Sequence, residues 1–174
     1  MSARTETLAS RVTAHFGERV TALPCVADDV AFEVPRTELL NICRELRDDP
    51  QFGFEQLIDL AGVDFLDYGR DEWSTNDSTK TGFSRGVNRI REKVSEPQQG
   101  RFAVTYQLLS VSYNWRLRLR CHASDGEPPV IDSVVGIWAG ANWFEREAFD
   151  LFGIFFNEHP DLRRLLTDYG FIGH

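Results

Sequence analysis

No stretch of this 174-residue sequence approaches the ~20 consecutive apolar residues that a membrane-spanning helix needs. The first residues, Met1-Ser-Ala-Arg-Thr-Glu, have neither the apolar core nor the cleavage signal of a secreted precursor, so the expectation is a protein that stays where it is made. Cysteine is scarce: Cys25, Cys43 and Cys121 are odd in number and widely spaced, which fits reduced thiols and excludes a paired zinc or cluster motif. Neither a Rossmann glycine fingerprint nor a P-loop occurs, so the chain shows no nucleotide cradle. Basic residues are outnumbered, 19 Lys and Arg against 27 Asp and Glu, and the net charge of −8 argues against nucleic acid or an anionic membrane surface as the main partner.

What is present is 42% hydrophobic and 12% aromatic residues, enough for one domain with a sizeable core. Leu8, Val12 and Phe16 recur at helical spacing and predict a short helix ending at Gly17. Two short strands are expected over residues 20–23 and 30–34, the second with period-two alternation. Thr37 can cap a helix reaching to about Arg47, with Leu39, Cys43 and Leu46 inward and Asp48-Asp49-Pro50 as its stop. A further helix is expected over residues 54–62 and a strand over 63–66.

Residues 69–100 break the rhythm, with little apolar content and then a basic stretch, and read as a mobile insertion. Within them Gly82-Phe-Ser-Arg-Gly86 matches the G-x-S-x-G text of a serine hydrolase elbow, but Ser84 has neither a buried strand before it nor a helix after it. Asn76-Asp-Ser78 spells a glycosylation acceptor and reads as loop. Residues 101–109 and 114–122 are the best strands in the chain and predict an antiparallel hairpin. Phe102, Val104, Tyr106 and Leu108 share a face of the first; Trp115, Leu117, Leu119 and Cys121 share a face of the second. Opposite them lies a basic stripe, Arg116, Arg118, Arg120 and His122, either a solvated sheet face or a docking surface for an acidic neighbour.

The last third alternates aromatic and charged residues almost without spacers. An amphipathic helix over 143–152 sets Phe144, Ala148, Leu151 and Phe152 on one arc and Arg146, Glu147 and Asp150 on the other. Trp143 and Phe149 fall beside that charged side, so it reads as half-buried. Asn142 is the expected cap, Glu145 its capping-box partner, and Gly153 the left-handed terminus. His159-Pro160-Asp161 reads as a turn. Glu145, Glu147 and Asp150 could in principle serve acid and base catalysis, but Arg146 at i, i+4 from Asp150, with Arg163 and Arg164 nearby, favours ion pairs that lock the fold or an interface. His159 has no second histidine or cysteine at ligand spacing and reads as a turn residue. The reading is a cofactor-free α+β chain: a single two-layer domain over residues 1–174, a mixed, mostly antiparallel sheet with helices packed on one face, and an extended C-terminal segment.

The run E-R-E-x-F-D-L-F-G-I-x-F from Glu145, followed by H-P-D-L-R-R-L-L-T-D-Y-G-F-x-G-H from His159, closely resembles the signature of the 30 kDa subunit of respiratory complex I, the proton-translocating NADH:quinone oxidoreductase. Weaker resemblance extends through residues 37–50, 59–68 and 101–118; family members commonly carry Tyr at Phe149 and continue past the final Gly-His. The resemblance implies a non-redox, architectural subunit of the peripheral arm that contacts the quinone-site subunit. NADH, FMN, iron–sulfur clusters and quinone would then belong to other subunits of the assembly. It also implies membrane association only through the complex, on the cytoplasmic face of a bacterial inner membrane or the matrix face of a mitochondrial one. The homologous small subunit of a complex I-related membrane-bound hydrogenase is the alternative within the resemblance, and an independent hydrolase the alternative outside it. On this reading Glu145, Arg146, Glu147, Asp150, His159, Asp161, Arg163, Arg164, Asp168 and Tyr169, with Arg116, Arg118 and Arg120, are interface or fold-locking residues, and no catalytic residue is expected.

Overall fold

Leu8, Val12 and Phe16 are buried along α1 (Ala3–Phe16), which Ser2 caps by accepting the Thr5 N–H and which Gly17 ends at a positive φ of 55°. Each such side chain contributes roughly 1.5–3 kcal/mol through removal from water. The computed structural model describes residues 2–25, 28–66 and 100–174. The expected insertion at 69–100, except its last residue Gly100, with Ser84 and its elbow text and Asn76-Asp-Ser78, lies outside the described residues. Strands β1 (Thr21–Ala22) and β2 (Ala31–Glu33) fall within the two expected strands and pair antiparallel. A turn of 3₁₀ helix, Arg36–Glu38, leads into α2 (Leu39–Asp48), whose Leu39, Ile42, Cys43 and Leu46 are fully buried. Thr37 is not the cap: it lies inside that 3₁₀ turn, and α2 has no side-chain cap.

The helix expected over residues 54–62 is instead β3 (Gln56–Asp64), and the strand expected over 63–66 is its end. A bulge between Leu57 and Asp59 explains the misreading. It lets Leu57, opposite Leu108, and Leu60, opposite Tyr106, both face inward although they are three residues apart, a spacing that imitates a helix. The predicted hairpin is β4 (Phe102–Ser110) with β5 (Trp115–His122), paired antiparallel from Ala103 opposite His122 to Ser110 opposite Trp115. The five strands run in the order β1-β2-β5-β4-β3, with only β2 and β5 parallel, so the sheet is mixed and mostly antiparallel. Its inward face, with Leu60, Val104, Tyr106, Leu108, Leu117, Leu119 and Cys121, forms one core cluster with the buried residues of α1 and α2.

The remaining elements are β6 (Val130–Asp132), α3 (Ala141–Phe152) and β7 (Phe155–Asn157), with β6 and β7 paired parallel. Two polar ties fix the approach to α3: the buried Trp138 Nε1–H donates to Phe54 O at 3.0 Å, and Arg47 Nη1 donates to Ile137 O at 2.7 Å. Gly62 on β3 admits α3 to the sheet, since a Cβ there would lie 2.7 Å from Phe152 Cδ2. Gly153 ends α3 at φ 69°, as the sequence predicts, but the start differs. The N-cap position is Gly140, with no side-chain cap, so Asn142 and Glu145 form no capping box. No helix among the described residues is long and apolar enough to cross a membrane.

Candidate interface on the third helix

Three charged side chains of α3 are buried: Glu145 and Asp150 completely, Arg146 with 5% exposed. Each holds a different piece of irregular chain. Glu145 accepts Ser133 Oγ at 2.6 Å and the Val134 N–H at 2.7 Å, securing the loop after β6. Arg146 donates from Nε to Arg163 O at 3.1 Å and from Nη2 to Arg164 O at 3.2 Å. Asp150 accepts the N–H groups of Leu165, Leu166 and Thr167 at 2.9, 2.7 and 2.9 Å and Thr167 Oγ1 at 2.5 Å. The C-terminal segment has no helix or strand to pair its backbone, so its carbonyls go to a buried cation and its amides to a buried anion.

The two carboxyls respond oppositely to burial. Desolvation pushes Glu145 up to about 7, only partly offset by the bonds from Ser133 and Val134. Desolvation also acts on Asp150, but its four donors outweigh it and hold that carboxyl well below the usual range.

His159 Nδ1 accepts the Asp161 N–H at 3.0 Å, which assigns the proton to Nε2, the atom that meets Asn142 O at 3.2 Å. Its side chain and that of Glu145 are fully buried, with Nε2 4.0 Å from Glu145 Oε2. Arg164 donates to Thr167 Oγ1, Phe171 O and Gly173 O at 3.2, 3.1 and 2.8 Å and stands 3.9 Å from Asp150. His174 lies against the end of α3, its ring 6.1 Å from that of Phe149, and a Cβ on Gly153 would meet it at 2.9 Å.

With charges turned inward, large apolar side chains face out: Trp143 is 61% exposed, and Leu151, Phe155, Leu166, Tyr169, Phe171 and Ile172 are exposed as well. Trp143, Leu166, Tyr169 and Phe171 share one groove of about 510 Å³ between α3 and the C-terminal segment. Contiguous exposed apolar surface of this kind marks a contact site. Among the described residues no three His, Cys, Asp or Glu side chains converge as a metal site would require.

Residues 32–174 match the family described as the respiratory-chain NADH dehydrogenase, 30 kDa subunit. The chain belongs to this family. It is 49% identical over 173 residues to the C subunit of the NADH-quinone oxidoreductase of Coxiella burnetii, covering 99% of this chain and 76% of that one. It is likewise 49% identical over 184 residues to the corresponding protein of Halorhodospira halophila, with 99% and 75% covered. Among solved structures it resembles the trypsin-resistant fragment (1-134) of Nqo5, at a TM-score of 0.63 and 26% identity over 91% of this chain and 99% of that one. A chain of the membrane-bound sulfane sulfur reductase, an archaeal respiratory membrane complex, shares the fold at a TM-score of 0.62 and 14% identity over 94% and 78%.

In this member of the 30 kDa subunit family, the signature residues do not pair as their spacing suggests. Arg146 and Asp150 form no ion pair with each other; both turn to the backbone of residues 163–167. Of the two arginine forks, Arg163 meets Asp161 at 2.8 Å on an exposed surface, and Arg164 binds mainly carbonyls. Glu147 is half-buried, and Asp168 and Tyr169 are exposed. Leu151, placed on the apolar arc by periodicity, faces out, whereas Glu145 faces in. The basic stripe on β5 is met largely by the chain's own carboxylates: Arg118 pairs with Asp29 at 2.7 Å, and Arg120 with Glu33 at 2.6 Å. His122 Nε2 is 3.6 Å from the same Glu33, and Arg116, alone of the three arginines, is exposed with no ion pair among the described residues. Sequence reasoning missed Ser133, Val134 and Thr167, because partners that act through an amide or a single hydroxyl leave no periodic signal.

Proposed function

We propose that this chain is a non-redox structural subunit in the peripheral arm of a proton-translocating NADH:quinone oxidoreductase, on the cytoplasmic side of the membrane. It docks to the quinone-site subunit through the apolar surface of α3 and the C-terminal segment. The observation that supports this reading is the inversion at α3, with Glu145, Arg146 and Asp150 inside and Trp143, Leu166 and Phe171 outside, in a chain of the 30 kDa subunit family. A surface that spends its charges on rigidity and presents aromatic residues to water is suited to burial by another protein. NADH, flavin, iron–sulfur clusters and quinone are assigned to other subunits, and this chain to the architecture that holds them in register.

Co-expression of a tagged chain with the peripheral-arm subunits tests the reading. The chain is expected to co-purify with the quinone-site subunit in an assembly that oxidises NADH with quinone and evolves no hydrogen. Variants that weaken docking should lower the yield of complex while turnover per assembled complex stays constant. Normal assembly with reduced turnover per complex would instead place this chain in the chemistry.

A further inference from the structure

Arg146 is a buried cation with no carboxylate in ion-pair contact among the described residues; Asp161 feels its charge only from beyond 4.0 Å and is itself paired with Arg163. Two of its three guanidinium nitrogens are spent on carbonyls, Nε on Arg163 O and Nη2 on Arg164 O, while Nη1 makes no hydrogen bond among those residues. No carboxylate among them lies within 4.0 Å: Asp150, one turn along α3, is committed to amides, and Asp161 is held by Arg163. With only 5% of the residue exposed, a guanidinium so placed ordinarily meets an opposite charge, and Nη1 is not among the sealed, unpartnered polar atoms of the described residues. It also forms part of the wall of the groove between α3 and the C-terminal segment, with its charge 5.3 Å above the Trp143 ring. The cations lining that groove are Arg146, Arg163 and Arg164; Arg163 is already paired with Asp161 and Arg164 stands 3.9 Å from Asp150, so Arg146 is the one whose charge is not met within 4.0 Å among the described residues. The rest of its lining is largely apolar, with Trp143, Leu166 and Phe171.

We propose that this groove binds an acidic segment of the partner polypeptide, one Asp or Glu carboxylate pairing with Arg146 and an adjacent large apolar side chain packing on Trp143. The proposal deepens the docking reading above and rests on it. The carboxylate would accept a charge-assisted hydrogen bond from Nη1 at a site already largely shielded from water, and Trp143 would supply contact area without reordering, since its neighbours are already held by Asp150 and Arg164. The unpaired Arg146 Nη1 favours an acidic segment over a purely apolar helix, which would leave Arg146 covered and still unpaired.

The test has two arms, both with the full chain. In the first, the Trp143 indole N–H and the Arg146 Nε–H are followed by NMR during titration with the end-blocked tetrapeptide Leu-Glu-Phe-Ser, its Gln counterpart, and inorganic phosphate. The Glu peptide should bind at least about fivefold tighter than the Gln peptide, and Trp143→Ala should abolish the Arg146 Nε–H shift without moving the thermal midpoint. Equal binding of the two peptides, or shifts with phosphate alone, would overturn the proposal, the latter in favour of a small-anion or headgroup site. In the second arm, Trp143→Ala and Arg146→Gln should each lower co-purification with the quinone-site subunit at least about fivefold, with Arg146→Lys intermediate. Trp143→Ala protein that assembles as well as wild type would sink the groove and leave the docking reading standing. Wild-type protein that binds the Glu peptide but never assembles would do the reverse.

Discussion

Two surfaces of this molecule carry nearly the same inventory of charges and use them in opposite ways. On the outer face of the sheet, Arg118 and Arg120 reach Asp29 and Glu33 across the β2–β5 pair, and the apolar side chains stay behind them. On α3, Glu145, Arg146 and Asp150 lie beneath the surface while Trp143 and Leu151 stand above it. The first arrangement sets side chain against side chain on a partly covered sheet face, where each pair is worth little. In the second, the charges replace secondary structure for a segment that has none. Composition alone cannot separate the two; the identity of the hydrogen-bond partner, carboxylate in one case and backbone in the other, does.

The largest expected effect is at Asp150. Asp150→Ala removes the acceptor for three amides and a hydroxyl, and should cost about 3–5 kcal/mol in urea unfolding. A cost below that of removing Glu33 would break the comparison. Next is Glu145. Its folded-state pKa of about 7 is raised above the ordinary value of 4.5, so its contribution is fully present below about pH 4.5 and is lost as pH rises through 7, a change of about 3 kcal/mol. Wild-type stability should therefore fall between about pH 4.5 and 7, to the order given by that shift, and Glu145→Gln should flatten the slope in urea melts. Asp150 acts in the other direction: its lowered pKa gives stability that is present above the ordinary carboxylate range and lost only as the medium becomes strongly acidic, which Asp150→Asn should abolish. A smaller loss, about 1 kcal/mol, is expected for Arg120→Gln, whose pair with Glu33 is partly covered. Arg163→Ala should change thermal stability by no more than about 0.5 kcal/mol, because both it and Asp161 are exposed. A cost comparable to that of Asp150→Ala would mean that the exposed pair also holds the segment.

Much of the fold was legible where periodicity was undisturbed. The stripes Leu8–Val12–Phe16 and Leu39–Cys43–Leu46 and the alternation of residues 102–108 and 115–121 each match a buried face. β3 was not legible, because its bulge spaces Leu57 and Leu60 as a helix would. At α3 the resemblance singled out the charged residues, but spacing assigned them to one another. The actual partners of Arg146 and Asp150 are carbonyls and amides of residues 163–167, and every residue type offers those, so no choice of side chain there could announce the contact. Glu145 was misplaced because taking Asn142 as the cap put its carboxylate at the capping-box position, whereas the helix starts earlier, after Gly140, and the same carboxylate clamps the loop after β6.

One carboxylate holding three consecutive amides also shapes how the C-terminal segment comes loose. The N–H groups of Leu165, Leu166 and Thr167 share a single acceptor atom, Asp150 Oδ2, so they are released by one event and should exchange with solvent deuterium as a block with a common opening free energy. An ordinary unstructured terminus frays residue by residue and must be ordered anew at each encounter. Here the middle of the segment is either seated or detached, and a partner arriving at the seated form meets a surface whose ordering entropy was settled during folding.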